Sequence, residues 1–144
     1  MGIPSKQIFK IFPFIAIGLV LIAILYIVKG NDKSAVLYET HCQSCHLEKG
    51  EGLRGIIPPL AQADYLEKYP EKLACIIRYG MNQPITVNGI EYHEKMPPNA
   101  MLSDSEITNI INHVMKNFGN DLPNVNFQKI TEQLEKCEEK NDLR

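Results

Sequence analysis

Cys42-Gln43-Ser44-Cys45-His46 constrains this chain more than any other five residues. It sets two thiols one helical turn apart and an imidazole directly after the second. Three chemistries use such a spacing. The first two are a thioredoxin-like redox pair and half of a zinc site. The third is attachment of haem through two thioethers, with the following histidine ligating the iron. A redox pair calls for a preceding strand in a βαβ unit, whereas Ala35 to Thr40 reads as a helix capped by Ser34. A four-ligand zinc site calls for a second close Cys/His pair, and Cys75 and Cys137 stand apart. The residues therefore point to one covalent haem c on Cys42 and Cys45, with His46 as the proximal iron ligand.

With 144 residues, 44% hydrophobic and 22% charged, the chain is ordinary for one folded domain. This excludes a disordered chain, and no self-similar period suggests a solenoid or propeller. A net charge of −2 gives no reason to expect nucleic-acid binding. The charge is uneven. Residues 1–30 hold Lys6, Lys10 and Lys29 and no acid, and the other 114 residues hold 12 basic against 17 acidic groups, a net of −5.

Ile11 to Val28 is an uncharged apolar run of 18 residues, about 27 Å as a helix, close to the hydrocarbon thickness of a bilayer. A cleaved secretory signal has a shorter apolar region and a small-x-small site, and neither fits here. The expectation is a single transmembrane anchor at 11–28, with 1–10 cytoplasmic and 29–34 a polar linker. Flanking lysines on both sides orient it only weakly. The cysteine chemistry places the rest of the chain on the exported, periplasmic side of a bacterial inner membrane. Residues 35–119 then form the haem domain, and 120–144 a tail with a charged helix.

Beyond the attachment motif, an ordered set of elements resembles the class I c-type cytochromes over Ala35 to Gly119. They are Tyr38, Gly50-Glu51-Gly52, Pro58-Pro59-Leu60, Val87-Asn88-Gly89, Met96-Pro97-Pro98 and a helix opening Leu102-Ser103-Asp104-Ser105-Glu106. The resemblance implies an all-α cytochrome c fold with a small β-hairpin around the haem. It also implies a methionine as sixth ligand on the loop before the last helix. Met96 precedes Pro97, which disfavours helix and suits an extended strap across a haem face. Met101, Met81 and His93 are the alternatives; bis-histidine ligation through His93 would lower the potential. The resemblance further implies that the Pro58 carbonyl accepts a hydrogen bond from His46, with Pro59 adjacent.

Ser103 and Glu106 form a capping box, with Leu102 and Ile107 as its staple. Ile107, Ile110, Ile111, Val114 and Phe118 follow as one stripe ending at Gly119. The resemblance implies that this helix crosses the N-terminal one near Val36 and Leu37. A helix from Tyr69-Pro70 turns Leu73, Ala74, Ile76 and Ile77 inward and stops at Gly80. Asn88-Gly89 suits a type I′ turn between strands 85–87 and 90–92. Cys75 and Cys137 form either a disulfide stapling the tail or two buried thiols.

Two filled axial positions leave no site for a small-molecule substrate. Electron transfer in a respiratory chain is the expected role, not catalysis, with histidine–methionine ligation raising the potential. Expected partners are redox proteins at the same membrane: a quinol-oxidising complex, a terminal oxidase or a dehydrogenase. The alternatives are an integral cytochrome subunit of a larger complex, and an open-site peroxidase or gas sensor. The last lacks a distal Arg/His pair.

Overall fold

The computed structural model describes residues 13–24 and 32–141. The chain divides into two units, Met1–Asp32 and Lys33–Arg144. In the first, residues 13–24 form helix α1, whose apolar side chains, Phe14 to Ile24, are largely exposed. Among the described residues no helix is long and apolar enough to cross a membrane. Twelve residues rise about 18 Å, short of the roughly 30 Å hydrocarbon core. The structure thus shows only the middle of the span expected at 11–28. Residues 1–12 and 25–31 lie outside the described residues.

The second unit is mostly helical with one two-stranded sheet. Its elements are α2 (Lys33–His41), α3 (Gln43–His46), α4 (Asp64–Lys68), a 3-10 turn (Pro70–Lys72), α5 (Leu73–Tyr79), β1 (Ile85–Val87), β2 (Ile90–Tyr92), α6 (Asp104–Lys116) and α7 (Phe127–Asn141).

Helix α6 is the central beam. The Ser103 hydroxyl accepts the Glu106 N–H at 3.3 Å and the Glu106 carboxylate accepts the Ser103 N–H at 2.7 Å, closing the expected capping box. Leu102, Ile107, Ile110 and Ile111 are buried as the stripe requires, and Met115 joins them. The helix ends at Lys116, before the stripe does. Phe118 lies beyond it at φ 59° and turns its ring onto Tyr38, centroids 4.9 Å apart.

Helix α2 lies against α6, with Leu37 packed on the core as expected and Val36 not. It starts at Lys33, so Ser34 sits in the first turn instead of capping it, and its hydroxyl meets His113 Nδ1 at 3.2 Å. Val36 faces solvent at 53% exposure, and Tyr38 fills the contact at 2%. The Tyr38 ring stacks on His113 and its hydroxyl donates to the Leu47 carbonyl at 2.7 Å. Burial pushes the Tyr38 phenol well above its ordinary range, so it remains a donor. An amphipathic tyrosine can thus serve both as core and as a clamp on the residue after His46.

The hairpin pairs Ile85 with Tyr92 and Val87 with Ile90, and Asn88 and Gly89 both take positive φ, as a type I′ turn demands. Asn88 and Asp64 exchange two hydrogen bonds of 2.7 and 3.0 Å, tying the turn to the start of α4. The Asn88 N–H and then Lys68 hold the Asp64 carboxyl below its usual range. Helix α4, five residues long, is too short to leave a periodic signal in sequence.

Helix α7 buries Ile130 and Leu134 against α5 and α6, and Cys137 is disulfide-bonded to Cys75 with Cα atoms 6.0 Å apart. The bond closes a loop of 62 positions. Cys75→Ala with Cys137→Ala is expected to lower unfolding free energy by about 2–4 kcal/mol. Denaturant titration of oxidised and variant protein measures this. An unchanged midpoint would mean that the tail's apolar contacts alone hold it.

Candidate functional site

In a domain this small, interiors are normally close-packed, so a large apolar void marks a binding site. Such a cleft lies between α3, α5, the hairpin and α6. Counted out to its open mouth it holds about 1250 Å³ of empty space, walled by Leu66, Ile77, Val87, Tyr92, Ile110 and Val114 among others. Cys42, Cys45, His46, Pro58, Met81 and Met96 all line it. A cleft with such apolar walls, lined also by two cysteines, a histidine and methionines, fits a flat, largely apolar macrocycle carrying iron.

Residues 42–46 form a single helical turn, closed by the Cys45 and His46 N–H groups on the Cys42 carbonyl at 3.2 and 2.9 Å. Residues three apart on such a turn share a face, which brings both thiols to the cleft. Burial, then the neighbouring Cys45, pushes the Cys42 thiol up to about 11. Redox-active Cys-x-x-Cys pairs have lowered thiol pKa values instead. Among the described residues no strand precedes the turn, which follows helix α2.

His46 is buried, and its Nδ1 donates to the Pro58 carbonyl at 3.1 Å. The acceptor is Pro58, not Pro59. This fixes the tautomer, leaving Nε2 as the unprotonated nitrogen that can ligate a metal. Burial holds the imidazole below its ordinary pKa, with the Pro58 carbonyl pulling weakly the other way. This environment favours the neutral imidazole, the form in which a histidine can ligate a metal.

Met96 lies on the segment after the hairpin. Met96 and Met81 exchange backbone hydrogen bonds of 2.9 Å in both directions, an isolated antiparallel bridge. Directly opposed residues in such a pair share a face, and both thioethers line the cleft. Of the other candidates, Met101 is 96% exposed, and His93 is exposed beside Glu91 at 3.6 Å. Neither lines the cleft. The structure therefore leaves two methionines where the sequence favoured one.

Sequence reasoning missed the partnership of Met81 with Met96, because it forms between residues 15 positions apart. It read Gly80 as a helix stop and Gly52 as part of a matched motif. A Cβ on Gly80 would stand 2.5 Å from the Met96 carbonyl oxygen, and one on Gly52 would stand 2.7 Å from that of Pro58. Positive φ at both marks them as glycine positions, but their neighbours come from other segments.

Residues 32–117 match the Cytochrome c family. Two cytochromes c-552 of Thermus thermophilus are each 37% identical over 82 residues. That stretch is 54% of this chain and 63% and 55% of theirs. The cytochrome c subunit of the quinone alcohol dehydrogenase of Gluconobacter oxydans is 32% identical over 97 residues, 66% of this chain and 20% of that subunit. The chain thus spans between a fifth and two thirds of the length of these relatives.

Proposed function

The chain belongs to the cytochrome c family, and on that premise we propose a membrane-tethered monohaem electron carrier of a respiratory chain, with iron held between His46 and Met96. Electron transfer and a covalent haem c follow from the family. The ligand assignment, the tether and the redox partners are the proposal. One observation carries the ligand assignment: His46, tied through Nδ1 to Pro58, and Met96, on its strap, line the same apolar cleft as Cys42 and Cys45.

When bound, haem supplies a one-electron ferrous–ferric couple. Cys42 and Cys45 hold it through thioethers from one rigid turn. His46 presents Nε2 with its ring orientation locked. Met96 offers a thioether from a strap that Pro97 and Pro98 keep out of helical geometry. The aliphatic walls exclude water, and the fixed ligands hold still between the two oxidation states. A soft sulfur ligand and a dry cleft favour the reduced form and so a high potential.

The tether rests on the uncharged run 11–28, and the periplasmic side of a bacterial inner membrane on the haem chemistry and the Cys75–Cys137 disulfide. The acidic balance of residues 31–144 suits redox proteins with basic docking faces at the same membrane, such as a quinol-oxidising complex, a terminal oxidase or a dehydrogenase. Permanent membership of a larger oxidoreductase is a second reading, favoured by the likeness to a dehydrogenase's cytochrome subunit. Detergent extraction and sizing separate the two: a lone small species for the carrier, co-purifying subunits for the complex.

For the ligand assignment, Met96→Ala in the matured protein is expected to abolish the sulfur-to-iron charge-transfer band of the ferric form. It is also expected to open the ferrous form to carbon monoxide. If Met81→Ala abolished the band and Met96→Ala did not, the ligand would be Met81. Wild-type protein that lacked the band and bound carbon monoxide rapidly would be an open-site haem protein.

A further inference from the structure

The strap from Met96 to Ser103 has an unusual supply problem. Pro97 and Pro98 have no backbone N–H, so the stretch directly after Met96 cannot donate to the helices beside it. Beyond the Met81–Met96 bridge, its backbone is fastened to α5 by the Asn99 N–H on the Ile77 carbonyl at 2.9 Å. Its far end is held to α6 by the capping box at Ser103, and between these points one side chain binds the strap's carbonyls. Arg78, in the last turn of α5, donates from Nη1 to the Ala100 carbonyl at 3.1 Å and to the Leu102 carbonyl. Its Nη2 reaches Asp104 Oδ1, in the first turn of α6, at 2.6 Å.

We propose that Arg78 is a positioning residue for the sixth iron ligand, clamping the strap that carries Met96 between the end of α5 and the start of α6. This rests on the reading of Met96 as that ligand. Arg78 does not line the cleft, so its action passes entirely through the strap. Its side chain is 18% exposed, which shields these charge-assisted bonds from competing water. The ends it joins suit its charges: a cation at a helix C-terminus and an anion at a helix N-terminus. The planar fork matters, because two carbonyls and a carboxylate are held at once. A lysine ammonium is a single point donor and cannot reproduce that span.

A merely structural arginine would affect melting alone. A positioning arginine would also set how easily an outside ligand displaces the methionine. The experiment is an imidazole titration of the matured ferric protein, following the sulfur-to-iron band, for wild type, Arg78→Met and Arg78→Lys. Losing the clamp is expected to tighten apparent imidazole binding by about tenfold to a hundredfold in Arg78→Met. Arg78→Lys should fall between that and wild type. If Arg78→Met does not mature, Arg78→Gln carries the same comparison, with a shorter, uncharged donor. A wild-type protein without the band overturns the ligand assignment itself. With the band present, imidazole affinity within twofold of wild type in the variant overturns the role of Arg78, whatever happens to its melting temperature.

Discussion

Gly52→Ala is expected to unseat His46 and to lower stability by about 2–5 kcal/mol, the sum of left-handed backbone strain and overpacking. Gly52 has φ +61°, and a Cβ there would lie 2.5 Å from the Ile57 oxygen and 2.7 Å from the Pro58 oxygen. Both are main-chain atoms, so no side-chain rotamer relieves the collision. The Pro58 carbonyl must move, and it is the acceptor that orients the His46 ring. Losing such an outer contact typically weakens metal binding or activity 10–100-fold. The measurements are holoprotein yield and the exchange behaviour of the His46 Nδ1 proton by NMR. A well-folded variant with a wild-type ring proton would show that the loop relaxes around the added methyl group.

Gly80→Ala is expected to do on the methionine side what Gly52→Ala does on the histidine side, at a similar cost of about 2–5 kcal/mol. Its φ is +74°, and the added Cβ would stand 2.5 Å from the Met96 oxygen, 3.0 Å from the Pro98 nitrogen and 3.1 Å from the Pro97 carbonyl carbon. The strap must lift, carrying the Met96 thioether with it. The expected readout is a weakened or absent sulfur-to-iron band together with a lowered melting temperature. Gly55→Ala supplies the control. Its φ is +77°, but nothing stands within 4 Å of the position a Cβ would take. That variant suffers the backbone strain without the collision, and the band is expected to survive. Equal effects from both substitutions would attribute everything to strain and nothing to the strap.

These two glycines show where sequence reading stops. Gly52 was visible as part of a matched element and Gly80 as a helix stop, and glycine is the residue of positive φ. What each glycine makes room for comes from a chain segment 5 to 18 positions away. Tyr38 teaches the same lesson. Its place among the matched elements was legible, but its burial against His113 and Phe118 displaced Val36 from the contact the sequence assigned it. The capping box at Ser103 and the type I′ hairpin turn were legible because each is settled within a few residues. Helix α4 was not, because one turn and a half carries no period.

By itself the sequence determined the covalent chemistry available to the chain. A thiol, a thiol and an imidazole within five positions, on one turn of helix, need no tertiary contact to be arranged. Only the folded chain decided that the Pro58 carbonyl faces His46, that Met81 stands beside Met96, and that Arg78 spans the strap. The physical reason is range. Hydrogen bonds along a turn follow from neighbouring backbone geometry, whereas contacts across 12 to 26 positions depend on where separate segments come to rest against one another.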